Sequence, residues 1–122
     1  MFLIHKMDTS LSRGIEYVPA SEGEVGILLR AEGEGYIKAS EADKPSHIAV
    51  GNVNEAGIIP AVRIDQQIEL ETVTNADLTA VALGTLLKTD GETVTAENGG
   101  CAALTYKEKR ADGTWLCRVR FN

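Results

Sequence analysis

Two histidines, two cysteines and one pair of same-face carboxylates are the residues of this chain best able to do chemistry, and their spacing argues against most of it. His5 and His47 have no Cys, Asp or Glu at the short spacings that metal sites use. His47 heads the run His47-Ile48-Ala49-Val50, which reads as a strand-edge residue before apolar neighbours. Glu69 and Glu71 share a strand face about 7 Å apart. That separation also occurs between glycosidase acids, but any acidic pair at this spacing has it. The Glu32-Gly33-Glu34-Gly35 segment is glycine-rich yet acidic, so it would repel a phosphate and reads as a turn. No G-x-S-x-G, P-loop, H-E-x-x-H or C-x-x-C motif is present. No catalytic, cofactor-binding or metal-binding residue is assigned, and no enzymatic activity is expected.

The elements that would hold these residues are β-strands. Gly26-Ile27-Leu28-Leu29-Arg30-Ala31-Glu32-Gly33-Glu34 returns 58 residues later as Gly84-Thr85-Leu86-Leu87-Lys88-Thr89-Asp90-Gly91-Glu92. Seven of the nine positions are identical or keep their charge sign. Each phrase is a glycine entry, a short apolar strand, a basic residue and an acidic-Gly turn of the kind that supports hairpins. Residues 61–73 alternate with period two, with Val62, Ile64, Ile68 and Leu70 on one face and Arg63, Asp65, Gln67, Glu69 and Glu71 on the other. That is the pattern of a half-buried strand. Its length predicts a bulge or bend near Asp65-Gln66-Gln67. Residues 75–83 could form a short helix capped by Asn75 and stopped by Gly84, or a loop. Ser40 to Ser46 could hold one helical turn.

The chain should close on a hairpin around Asp112-Gly113, in which Trp115, Cys117, Val119 and Phe121 share a face. With a two-residue loop, Tyr106 would face Val119, Leu104 would face Phe121 and Cys117 would face Glu108. Cys101 and Cys117 then point to opposite faces, which predicts two free thiols. The fold class expected is mainly β, a compact β-barrel or sandwich built from two related hairpin units, with at most one or two short helices. Residues 1–13 read as an N-terminal arm and 14–122 as a single β domain.

The net charge of −6 and the pI near 4.9 argue against general nucleic-acid binding. No segment approaches the length of a transmembrane helix, and neither membrane nor nucleic acid is expected as a partner. Within 107–120, Lys107, Lys109, Arg110, Arg118 and Arg120 outnumber Glu108 and Asp112. This is either a solvated hairpin face or a basic patch for an acidic partner or a neighbouring subunit. Phe2, Leu3 and Ile4 are three adjacent apolar residues in the arm. Together with Arg118 and Arg120 they are the residues expected to meet a partner.

The C-terminal pattern carries a resemblance. Gly84-Thr85-Leu86-Leu87-Lys88, Asp90-Gly91, Val94-Thr95, Asp112-Gly113 and Cys117-Arg118-Val119-Arg120-Phe121 resemble small β-rich decoration (cement) proteins of tailed bacteriophage capsids. Gly26 to Ala39 is similar to the same pattern, whereas the alternating run at 61–73 departs from it. The resemblance implies a structural virion protein, assembled in the host cytoplasm, that forms a homo-oligomer such as a trimer on a capsid lattice. It implies an arm contacting the shell, no cofactor and no enzymatic activity. The competing reading is a small-ligand or carbohydrate-binding β module using the polar face at 63–71. The single Trp, Trp115, falls on the core parity, which removes the usual stacking platform for a sugar.

Overall fold

The computed structural model describes residues 1–7, 14–65 and 67–121. Among them there is no helix, and eleven strands form two antiparallel sheets packed as a sandwich. In chain order the strands are β1 (Leu3–Lys6), β2 (Glu16–Pro19), β3 (Leu28–Glu32), β4 (Gly35–Lys38), β5 (His47–Ala49) and β6 (Ile58–Arg63). They continue as β7 (Glu69–Thr74), β8 (Leu86–Thr89), β9 (Val94–Asn98), β10 (Ala102–Lys109) and β11 (Trp115–Phe121). One sheet has the order β2-β6-β5-β3-β4, and the other β1-β7-β11-β10-β8-β9.

Apart from β1, the two orders are the same: advancing each strand of the first by five gives the second. The registers agree as well. Leu28 faces Ile48, which faces Val62; in the other sheet Leu86 faces Ala103, which faces Arg120. Ala61 faces Glu16 as Val119 faces Leu70, and Pro60 faces Tyr17 as Arg118 faces Glu71. The chain is therefore two copies of one five-stranded unit, here called unit N (β2 to β6) and unit C (β7 to β11). The repeated phrase marks the hairpin β3-β4 in one and β8-β9 in the other. Gly26 and Gly84 enter these hairpins at φ 88° and 91°, a conformation costly for any residue with a Cβ. The loops differ: two residues, Gly33-Glu34, in unit N and four, Asp90 to Thr93, in unit C.

Each unit curls until its hairpin leans on its first strand. In unit N a single bridge joins Ala20 to Tyr36. In unit C, at the equivalent place, Thr74 Oγ donates to the Val94 carbonyl at 2.7 Å. The hollow of unit N is filled by Val18, Ala20, Ile27, Leu29, Ala49, Ile59 and Ala61. The outside of unit N presents Leu28, Ile48 and Val62, which enter the hollow of unit C with Leu70, Leu87, Leu104, Cys117, Val119 and Phe121. Unit N is thus apolar on both faces, as Leu28-Leu29 and Ile48-Ala49 show in sequence, while unit C keeps one face in water. Backbone bonds join the units, from Leu28 N–H to the Gly91 carbonyl at 2.8 Å and from Glu41 N–H to the Thr89 carbonyl at 2.6 Å.

Three expectations are corrected and one open alternative is decided. Residues 1–7 are not a separate arm: β1 pairs with β7, and Phe2, 1% exposed, is part of the core. The rest of the expected arm, 8–13, lies outside the described residues. The alternating run at 61–73 is two strands, β6 and β7, in different sheets, and the bend near Asp65 is the crossover between units. The position of Gln66 in that bend lies outside the described residues. Of the two readings of residues 75–83, helix or loop, the loop is the one formed, and Lys107 Nζ donates to its Leu78, Thr79 and Val81 carbonyls. Finally, the closing hairpin has a three-residue loop. Gly113 N–H bonds to the Arg110 carbonyl, and Gly113 at φ 87° adds a bulge before Arg110 pairs with Thr114. A second shift between Leu104 and Tyr106 follows, so Cys117 faces Lys107, Tyr106 faces Arg118 and Leu104 faces Val119. The inward set Trp115, Cys117, Val119 and Phe121 is as expected, and both cysteines are free.

Candidate functional site

The wet face of unit C is built from β1, β7, β11 and β10, and it collects most of the residues singled out in the sequence. Period two sends Glu69 and Glu71 of β7 and Arg118 and Arg120 of β11 to one side, while Leu70 and Val119 point inward. Arg118 Nε lies 2.9 Å from Glu71 Oε2, and Arg120 Nε lies 3.5 Å from Glu69 Oε2. His5, on β1, sits between the carboxylates, 3.7 Å from Glu69 and 3.6 Å from Glu71. Thr105 Oγ, at the β10 bulge, donates to Glu69 at 2.9 Å. The Arg118 guanidinium lies 4.5 Å from the Tyr106 ring centroid, a cation–π distance. The Glu71 hydrogen bond raises the Arg118 pKa further above its already high value.

Leu3 stands opposite Glu71 and borders a shallow depression that also involves Met1, Val73 and Leu116. Leu3 is 52% exposed and Leu86, on the same face beyond Ala103, is 45% exposed. So the structure brings Leu3, Arg118 and Arg120 together on one surface. It separates them from Phe2, which is in the core, and from Ile4, which is half-buried and packs on that core. Of the expected basic patch, Arg118 and Arg120 are neutralised locally by Glu71 and Glu69. Sequence reading set those acids on the polar face of one strand but could not pair them with β11, because nothing local encodes which strand lies beside it.

A second cluster was missed. His47 opens the short strand β5 as its sequence suggests, but β5 is the central strand of unit N and the side chain is fully buried. Its Nδ1 lies 2.8 Å from Ser46 Oγ, and its ring meets Tyr36 edge-to-face at 5.1 Å. Its Nε2 lies 3.2 Å from Glu16 Oε2, but the contact is too poorly aligned to count as a formed hydrogen bond. Arg63 grips the same carboxylate through Nε at 3.2 Å and a terminal nitrogen at 3.0 Å. Burial lowers the His47 pKa and so favours the neutral ring; the Arg63 hydrogen bond leads the lowering at Glu16. Ser, His and Glu in contact suggest acyl-transfer chemistry. However, the imidazole has no exposed surface, and Ser46 faces the nitrogen that a catalytic aspartate would take. The cluster clamps β2 to β6 and β5. Its only sequence signal was the three residue types, since Glu16 lies far from Ser46 and His47 along the chain.

Burial pushes the Cys117 thiol up to about 12, which leaves it protonated and unreactive at neutral pH. Cys101 Sγ, half-buried, lies 3.3 Å from the Ala42 carbonyl. Among the described residues no group of three or more His, Cys, Asp or Glu side chains is placed to hold a metal ion. Trp115 is buried beneath Lys107, whose Nζ lies 5.7 Å from the ring.

Comparison of the chain with family models, curated proteins and solved structures found no match.

Proposed function

We propose that this chain is a structural docking protein, without catalytic activity, that binds the surface of a repeating protein assembly. Within that class the resemblance favours decoration of a bacteriophage-type capsid in the virion. The observation that carries the reading is the wet face of unit C. Its central charges, Arg118 with Glu71 and Arg120 with Glu69, are already paired within the chain, and apolar side chains remain exposed beside them. A surface of this kind can meet another protein without leaving unmatched charges behind, which is the main cost of polar interfaces. The anchors are Leu3 and Leu116 at the rim of the depression, with the Arg118–Glu71 pair beside them. Phe2, being internal, supports the strand that carries Leu3 instead of touching the partner.

The test uses shells of the coat protein encoded in the same genome. The chain should co-sediment with them, and the double variant Leu3→Asp, Leu116→Asp should bind at least about tenfold more weakly, since tenfold corresponds to about 1.4 kcal/mol. Thermal stability should stay close to that of the parent chain. A parent chain that ignores the shells, or a variant that binds as well as the parent, would overturn the proposal.

A further inference from the structure

The internal duplication exposes an edge that unit C covers and unit N leaves open. In unit C the outer side of β7 is occupied by β1, with Leu3 opposite Glu71 and Ile4 opposite Leu70. The register places Tyr17 of β2 where Glu71 lies, and Glu16 where Leu70 lies. Among the described residues no strand pairs with Glu16 to Pro19 on that side, and β4 reaches only the next residue, Ala20. Tyr17 is 71% exposed and Ile15 53%, and a side chain added at Gly14 would meet nothing within 4 Å.

The backbone there is directed outward. The Pro60 carbonyl accepts from Val50 N–H at 2.9 Å, so Pro60 turns its main chain toward β5. Tyr17 stands opposite Pro60 and therefore turns its own N–H and C=O away from β6, as does Ile15 two residues earlier. The run of outward groups is short. Pro19 has no N–H, and the next residue, Ala20, is bridged to β4.

We propose that β2 pairs antiparallel with β2 of a second copy of this chain, about a two-fold axis at Tyr17. A second copy fits because the register about Tyr17 is self-complementary: each Glu16 meets the Val18 of the other copy and each Ile15 meets its Pro19, so no like charges face each other. With the axis at Tyr17, the two Tyr17 residues exchange both backbone bonds, and Glu16 stands opposite Val18 of the second copy. A register with Ile15 opposite Tyr17 would set Glu16 against its own image. The Glu16 charge is already held by Arg63, so two β2 strands approach without a bare carboxylate between them. Two five-stranded sheets become one of ten strands. Two-fold pairing closes on itself and does not propagate. The expected assembly is thus a dimer, in place of the trimer that the capsid resemblance implies. The proposal is independent of the docking face on unit C.

Light scattering on the full chain tests it. The parent chain should be a dimer that dissociates on dilution, and Tyr17→Pro should be monomeric at concentrations where the parent is dimeric. The Tyr17 N–H makes no bond within the sheet, so a proline is tolerated there. Tyr17→Cys guards against a proline variant that fails to fold. Facing residues of a hydrogen-bonded antiparallel pair lie about 5.5 Å apart at Cα, within disulfide range. Mild oxidation should therefore link Tyr17→Cys into a dimer and leave the parent unlinked. A parent chain monomeric at every concentration, a dimer that survives Tyr17→Pro, or Tyr17→Cys that stays unlinked would each overturn the proposal. Shell binding by the Leu3, Leu116 variant is read separately, so either idea can fail alone.

Discussion

Unit N and unit C share strand order and register, yet they treat the same rows of side chains in opposite ways. The outer row of unit N, Leu28, Ile48 and Val62, is buried in its neighbour. The matching row of unit C, Leu86, Ala103 and Arg120, lies at the surface. The open edge is reversed too: β7 is covered by β1, whereas β2 displays Tyr17. Topology is carried by the ladder and the hairpins, which both units keep. Which face is apolar is decided by position in the pair. A duplicated fold can in this way turn one surface into an internal interface and release its twin for outside contacts.

The comparison can be broken most forcefully at Phe2, which belongs to neither unit and fills the core beside both. Phe2→Ala should destabilise the chain by about 3–5 kcal/mol, the usual cost of emptying a buried phenylalanine site. Urea denaturation measures it. A loss below about 1 kcal/mol would mean that β1 is a loose appendage after all.

The next test compares twin positions. Leu28→Ala should cost about 2–5 kcal/mol, because Leu28 is completely buried between the units. Leu86→Ala, at the equivalent place in unit C, should cost less than about 1 kcal/mol, since surface substitutions are usually small. Equal losses in the same denaturation assay would show that the two faces are not used differently.

The finest distinction is in pH. The His47 position corresponds to Ala102 in unit C, which cannot titrate. Burial lowers the His47 pKa below its ordinary value of 6.5 in the folded chain, so the unfolded chain binds that proton more readily. Its contribution is therefore fully present above pH 6.5 and is lost as the pH falls toward the folded pKa. Glu16 acts with the same sign, from its ordinary value of 4.5 downward. The melting temperature should decline on acidification from pH 7, and His47→Gln should flatten the part of the decline nearest pH 6. An unchanged slope in that variant would place the titrating group elsewhere.

How much of this was legible in the sequence depends on whether the signal was local. The repeated phrase, the period-two runs and the inward set of β11 are local patterns, and they specify strands and faces. The β10-β11 register was not legible. A type of turn had to be chosen, and Gly113 can serve either a two-residue loop or a bulged three-residue one. For residues 75–83 the sequence offered a helix or a loop and could not choose, because the Lys107 that holds the loop's carbonyls comes from another strand. The same holds for the charges. Arg118 and Arg120 looked like an excess until Glu69 and Glu71 were laid beside them by pairing across the sheet. The Glu16–His47–Arg63 cluster was invisible for the same reason, its members being joined by the fold and by no spacing.

The seat of Phe2 has a consequence for the order in which the molecule can be completed. Phe2 precedes both its partners along the chain: its N–H bonds to the Gly26 carbonyl, and β1 pairs with Glu69 to Glu71, more than sixty residues later. Contacts this distant in sequence carry a large loop-closure cost and can be made only after the intervening chain exists. A nascent chain that stops before β7 holds unit N with its Leu28 face uncovered and its first apolar strand with nowhere to lie. β1 is thus the latch of the fold, made before unit C and fastened only once unit C has arrived.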